Sequence, residues 1–190
     1  MHISKLLSNI NIAKNNFRIA LFYDKQNHYS AAACFYLRCA DRSKGKIRYE
    51  SLIKAAICYD NLKSRNYTQE ILLKQAICEL PQRPEAYFLI CQLYEKNKDW
   101  INCYIFSELA LLNCKEPKYK LINYSGMFHI KIYNAISCWW LGKADKSLEL
   151  FIDILQTNQL CEFFKTKIEY YLIQLFYNQN HPEEINSSIK

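Results

Sequence analysis

The chain has 190 residues, 51% hydrophobic and 23% charged, enough to bury one ordinary core and unlike a disordered segment. Only 3 Gly and 4 Pro are present, which argues against a turn-rich all-β fold and, with no two glycines close together, against a Gly-rich phosphate cradle. The net charge of +7 is mildly basic and falls short of a nucleic-acid signature unless it clusters.

Helical periodicity runs through the chain. Phe17, Ala20, Leu21 and Tyr23 form the first i, i+3, i+4 face, broken by polar Asp24 to His28. Ala32, Phe35, Tyr36, Cys39 and Ala40 form the second, and Asp41 to Gly45 is a polar break with Gly45 as the expected stop. The third face carries Leu52, Ala55, Ala56 and Tyr59; the fourth carries Ile71, Leu72, Gln75, Ala76 and Leu80 before Pro81. Pro84 suits a helix first turn and opens a face of Tyr87, Ile90, Cys91 and Tyr94. Asp99 is the expected N-cap of a helix starting at Trp100. Cys114 to Gly126, with Pro117, interrupts the pattern. It resumes from Phe128 to Leu141, breaks at Gly142 and continues to Gln156; a last amphipathic stretch spans Cys161 to Tyr177, and a polar tail follows.

Nine cysteines, an odd number with no Cys-x-x-Cys pair, do not read as a disulfide framework. No signal peptide or membrane-length apolar run is visible, so the expected setting is cytoplasmic, with the cysteines as small hydrophobes. His2, His28, His129 and His181 are scattered, and His28, Cys34 and Cys39 make the nearest metal-like cluster. Helical phase puts Cys39 at a packing position, so no metal site is expected. His129 and Cys138 are nine residues apart on one predicted helix, on opposite faces, so they cannot form a nucleophile pair within it. No enzyme activity and no cofactor are expected. The basic run Arg38, Arg42, Lys44, Lys46 and Arg48 falls at a helix end, where cations cap exposed carbonyls; the alternative is a phosphate or acidic-partner site. Trp139 and Trp140 point about 100° apart on a helix, one toward the core and one toward a groove or the last helix.

Small residues recur at matched places. Ala20, Ala56, Cys91 and Ala135 lie 36, 35 and 44 residues apart. They fit position 8 of the tetratricopeptide repeat, a helix pair of about 34 residues. Tyr23, Ala32, Tyr36 and Cys39 then fill positions 11, 20, 24 and 27 of the first unit. With one residue inserted near Ser64 and Arg65, Leu73, Ala76 and Pro81 fill 24, 27 and 32 of the second. Cys103, Ser107 and Ala110, and then Ser147, Phe151 and Ile154, continue positions 20, 24 and 27. Small side chains are needed there because two helices approach closely. The expected fold is an all-α, right-handed α-solenoid of about four such pairs with a C-terminal capping helix. The repeats fall at about 13–45, 48–82, 84–114 and 127–157, with an insertion at 114–126 and a cap at 160–177. One domain covers 1–178, and 179–190 is tail.

The strings FRIALFYDK, CFYLRCADRS, RYESLIKAAICYD, RPEAYFLICQLYEKNKDW and NAISCWWLGKADKSLELF resemble tetratricopeptide-like segments attached to glycosyltransferase-like proteins of bacteria and marine phages. The resemblance covers roughly residues 16–175. It implies a non-catalytic binding or scaffolding role beside a sugar-transfer domain; the Asp-x-Asp motif of such a transferase is absent. Two other expectations stay open: a detached accessory domain of a glycosyltransferase, or a structural or virion component. The resemblance also implies a concave partner-binding groove. Its floor would be Phe17, Ile53, Phe88 and Ile132 at position 5, with Leu21, Ile57, Gln92 and Ile136 at position 9. Asp24, Asp60, Glu95 and Trp139 fall at position 12 and Trp140 at 13, with Glu50 and Glu85 extending the acidic row from position 2. The Lys/Asn/Arg clamp for a peptide's terminal carboxylate is absent. The expected partner is a protein or peptide segment with basic and apolar residues, not nucleic acid, unless the insertion or cap covers the floor.

Overall fold

A computed structural model of the protein describes residues 9, 11–63, 66–156, 165–166 and 168–174. Its helices, in chain order, are α1 (Ala13–Lys25), α2 (Tyr29–Asp41), α3 (Gly45–Asn61), α4 (Asn66–Glu79), α5 (Pro84–Lys96), α6 (Trp100–Asn113), α7 (Met127–Trp140) and α8 (Ala144–Gln156). Residues 168–174 are helical as well, and the described residues contain no strand. Each helix packs on the next, and α5 also meets α7, so the pairs α1–α2, α3–α4, α5–α6 and α7–α8 stack into an all-α solenoid.

Small residues make the helix crossings possible. Ala20, Ala56, Cys91 and Ala135 on the first helices are fully buried, as are Cys39, Ala76 and Ala110 on the second. The larger Ile154 closes the fourth pair and is also fully buried.

The turn inside each pair repeats with the same period. Asn27, Lys63, Lys98 and Gly142 are left-handed, with φ of 60°, 49°, 57° and 72°. In each turn this residue's N–H donates three residues back, to the carbonyl of Asp24, Asp60, Glu95 or Trp139. His28, Asp99 and Lys143, each next in its turn, donate to the carbonyls of Tyr23, Tyr94 and Cys138. These bonds take up carbonyls that a helix end leaves orphaned.

The ends follow local chemistry. Asp99 caps α6 by accepting from Asn102 N–H at 3.1 Å, and Pro84 sits in the first turn of α5, where no N–H is needed. Gly45 differs from its expected role as a stop. It is the first residue of α3, at φ +59°, and its N–H donates to the Glu79 carboxylate.

Two apolar clusters result. The larger runs from α1 to the first half of α7 and includes Cys114 and Tyr124 of the 114–126 insertion. The smaller joins α7 and α8 to Ile168 and Tyr171. The expected cap at 160–177 lies only partly within the described residues, and the tail, with His181, lies outside them, as does His2. Among the described residues no helix is long and apolar enough to cross a membrane.

Candidate functional site

The predicted groove residues divide sharply by accessibility. Ile53, Phe88, Ile132 and Ile136 are buried within the solenoid and offer no surface to a partner. At Phe88 the insertion and α7 provide the cover: the Tyr124 ring lies 5.0 Å from it, and the His129 and Tyr133 rings of α7 lie at 5.2 and 5.8 Å. Phe17, Leu21 and Ile57 are half-buried against the larger cluster, Phe17 edge-on to Tyr36 at 5.6 Å. The apolar floor is thus largely internal packing. Glu85, expected in the acidic row, is also fully buried. Its carboxylate pairs with Arg83 and accepts from Tyr49 Oη at 3.1 Å and Leu121 N–H at 3.4 Å.

The polar members of the row stay nearer the surface. Asp24 accepts from the Tyr36 hydroxyl at 3.0 Å, which ties α1 to α2. Burial first, and then this carboxylate, raise the Tyr36 hydroxyl pKa far above its ordinary value. Asp60 and Lys96 form a pair at 3.3 Å, with side chains 46% and 57% exposed. Asp60, Gln92, Glu95 and Lys96 come together with Leu93 and Gln69 around a pocket of about 470 Å³. It sits where α3 and α5 end, above the start of α4.

Gln69 was not among the predicted site residues. The signal was in the register: it occupies position 20 of the second repeat, where the other repeats carry Ala32, Cys103 and Ser147. Cys103 Sγ and Ser147 Oγ at that position bond the carbonyls of Cys91 and Ala135, at 3.7 and 2.9 Å. Gln69 is only 6% exposed, and its Oε1 has no hydrogen-bond partner among the described residues.

The two tryptophans separate as their helical phase requires. Trp139 packs with the smaller cluster and meets Tyr171 edge-on at 6.5 Å. Trp140 is 54% exposed and stacks on Trp100 at 5.3 Å.

Other candidate groups are engaged structurally. Arg48 donates to the Ala40 carbonyl at 2.9 Å and pairs with Glu79 at 3.2 Å. Arg38 lies over Phe35 and Lys46 over Tyr119. The basic run is therefore spread over separate partners. His129 Nδ1 accepts from Ser125 N–H at 2.7 Å, whereas Cys138 Sγ lies 3.9 Å from Asn134 Oδ1. Burial pushes the thiols of Cys91, Cys114 and Cys138 up, Cys114 to about 12, which disfavours the reactive thiolate. No group of three or more His, Cys, Asp or Glu poised for a metal occurs among the described residues.

The stacked pairs and their repeating turn match solved tetratricopeptide structures. YrrB, described as a tetratricopeptide protein with an unusual peptide-binding site, superposes with a TM-score of 0.70 at 11% identity, over 96% of this chain and 86% of its own. The fold is a tetratricopeptide-like solenoid. MamA from MSR-1 gives a TM-score of 0.62 at 14% identity over 90% and 89% of the two chains. PilF of Pseudomonas aeruginosa gives 0.60 at 10% over 86% and 69%. At these identities the likeness concerns the fold. No protein-family model and no curated protein matches the sequence. Within this tetratricopeptide-like frame, Asp60, Gln92, Glu95 and Lys96 take positions 12, 9, 12 and 13 of their repeats.

Proposed function

We propose that the protein is a non-catalytic module that binds a segment of another protein, carrying basic and apolar residues, along the edge where the first helices of the repeats end. The observation that carries this is the pocket that joins Asp60 and Glu95, carboxylates of successive repeats, with Leu93 in its lining. The peptide-binding site of YrrB supports it by analogy of fold. Of the expected groove residues, Ile53, Phe88, Ile132 and Ile136 are buried, which supports a contact at this edge and at the exposed side of Trp140.

Random-peptide phage display against the full chain tests the proposal, followed by anisotropy titrations of a selected peptide. Selected segments should be rich in Lys, Arg and apolar residues. Asp60→Lys with Glu95→Lys should weaken binding, more so at low salt, because exposed charges are less screened there. Asp24 is left intact because it holds Tyr36. Selection of acidic segments, of none, or equal affinity for the double variant overturns the proposal. Service in a glycan-modifying system rests on the sequence resemblance alone. Capture of a sugar transferase from the native host is its test.

A further inference from the structure

The outward face of the second helices lies apart from the binding edge proposed above. α6 is apolar on nearly every side. Its exposed positions are Ile101, Ile105, Leu109, Leu112 and Asn113, and its one charged residue, Glu108, pairs with Lys146 at 2.9 Å. A surface helix turns a polar face to water, and one that is apolar all round is normally buried. Ile101 and Leu112 are instead 62% and 79% exposed. In the repeat register, Tyr67 and Ile71 of α4 stand where Ile101 and Ile105 stand on α6, and both are exposed as well. The two helices are neighbours on this face, since Lys74 Nζ of α4 lies 5.7 Å from the Phe106 ring centre. These aliphatic and tyrosine side chains present on the order of 600 Å² of apolar surface, at the upper end of what a monomer shows and near the about 800 Å² per partner of a stable interface.

The borders of the patch say what fits it. On α8 the outward positions are Asp145, Glu149 and Asp153, the last held by Lys131 at 2.9 Å. On the other side, α2 ends on exposed Arg38, Asp41 and Arg42, followed by exposed Lys44 and Lys46. From α2 to α8 the face therefore runs basic, apolar, apolar, acidic. Lys74, within the apolar part, is neutralised by Glu70 at 2.6 Å. A two-fold axis parallel to these helices, between α4 and α6, sets α4 of one copy on α6 of the other and α2 opposite α8. Apolar surface then meets apolar surface, and basic meets acidic. An axis across the helices would set each helix on its own copy, acid on acid and base on base, which complementary interfaces avoid. Because the chain carries +7 overall, association with itself needs a contact whose charges cancel in this way.

From these observations we infer that the outward face of α4 and α6 is an interface between two copies of this chain, related by a two-fold axis parallel to those helices. The binding edge at Asp60 and Glu95 plays no part in it, so each dimer would carry that edge twice.

Sedimentation velocity of the full chain, from low to high micromolar concentration, tests the inference. A monomer–dimer equilibrium is expected. Ile101→Glu with Ile105→Glu, both at exposed positions, should weaken it about a hundredfold or more while the far-ultraviolet helix signal is kept. A second variant tests the axis. Cys78, which is exposed, and Leu112 hold the same register position on α4 and α6, so this axis sets them against each other across the interface. Leu112→Cys should therefore yield a disulfide-linked dimer under mild oxidation, and Cys78→Ser in the same chain should abolish the link. A parent that stays monomeric at every concentration overturns the inference, as does a dimer that the double glutamate variant leaves intact. A dimer that never forms the Cys78 link overturns the arrangement inferred here. A monomeric parent whose urea midpoint falls in the double glutamate variant would place other residues of its own chain over the patch. A monomeric parent whose displayed segments no longer bind that variant would assign the patch to a foreign partner. Either result overturns the inference.

Discussion

Lys98 adopts a conformation that side chains avoid. It sits at φ 57° in the turn between α5 and α6, where Gly142 serves the equivalent turn of the fourth pair. A left-handed residue with a Cβ is strained by roughly 1–2 kcal/mol, partly offset by the greater entropy that glycine loses on folding. Lys98→Gly should therefore raise stability by about 0.5–1 kcal/mol, read as a higher urea midpoint. A lower midpoint would mean that the Lys98 side chain contributes more than its backbone costs. The periodicity of this turn also shows why the repeat register was legible. Packing at position 8 and turning at Asn27, Lys63, Lys98 and Gly142 share the same spacings, and the first is written in residue size. The turn itself was not legible, because Asn, Lys and Gly have little in common beyond that place.

The element that the sequence left undefined, the 114–126 insertion, proves to be anchored on the turn before α5 and on the start of that helix. Leu121 N–H donates to Glu85 at 3.4 Å, the Arg83 guanidinium lies 5.1 Å from the Tyr119 ring centre, and Cys114 Sγ donates to the Pro81 carbonyl at 3.4 Å. These contacts join residues more than thirty positions apart, and no local pattern announces them. That is why Glu85 read as an exposed member of an acidic row and Phe88 as groove floor. Periodicity gives the face on which a side chain lies but not what a distant loop lays over it. Glu85 is fully buried, and Arg83 beside it is largely so. Breaking a buried pair from one side leaves an uncompensated charge, so Glu85→Ala should cost about 3–5 kcal/mol. Hydrogen exchange at Leu121 should quicken in the same variant, as its amide loses its acceptor. A small stability loss with Leu121 still protected would show that the insertion is held by Tyr124 and its apolar neighbours instead.

At the scale of the molecule, a solenoid is held by contacts between neighbouring repeats, and its stability need not be uniform along the stack. The two apolar clusters make that division concrete. The larger runs through the first three pairs and the insertion and takes in Ile130 and Tyr133 of α7; the smaller joins Phe128, Ile132, Ala135 and Ile136 of α7 to α8 and the buried Ile168 and Tyr171. Beside this apolar contact through α7, a polar network joins α6 to the fourth pair. Asn134 of α7 donates to Ser107 Oγ at 3.0 Å and to Glu108 at 2.7 Å on α6, and Lys146 of α8 joins Glu108 at 2.9 Å. Ile154 belongs wholly to the smaller cluster and is fully buried. Ile154→Ala should cost about 2–5 kcal/mol by lost burial and a residual cavity. If the stack behaves as neighbour-coupled units, this cost falls on the fourth pair first. Amides of α7 and α8 should then exchange faster while those of α1 to α3 keep their parental protection, and the urea transition should split into two steps. A single cooperative transition, with protection lost equally from α1 to α8, would show that α7 and the polar network couple the clusters into one unit. In that case the pocket between α3, α4 and α5 would feel changes made at the far end of the chain.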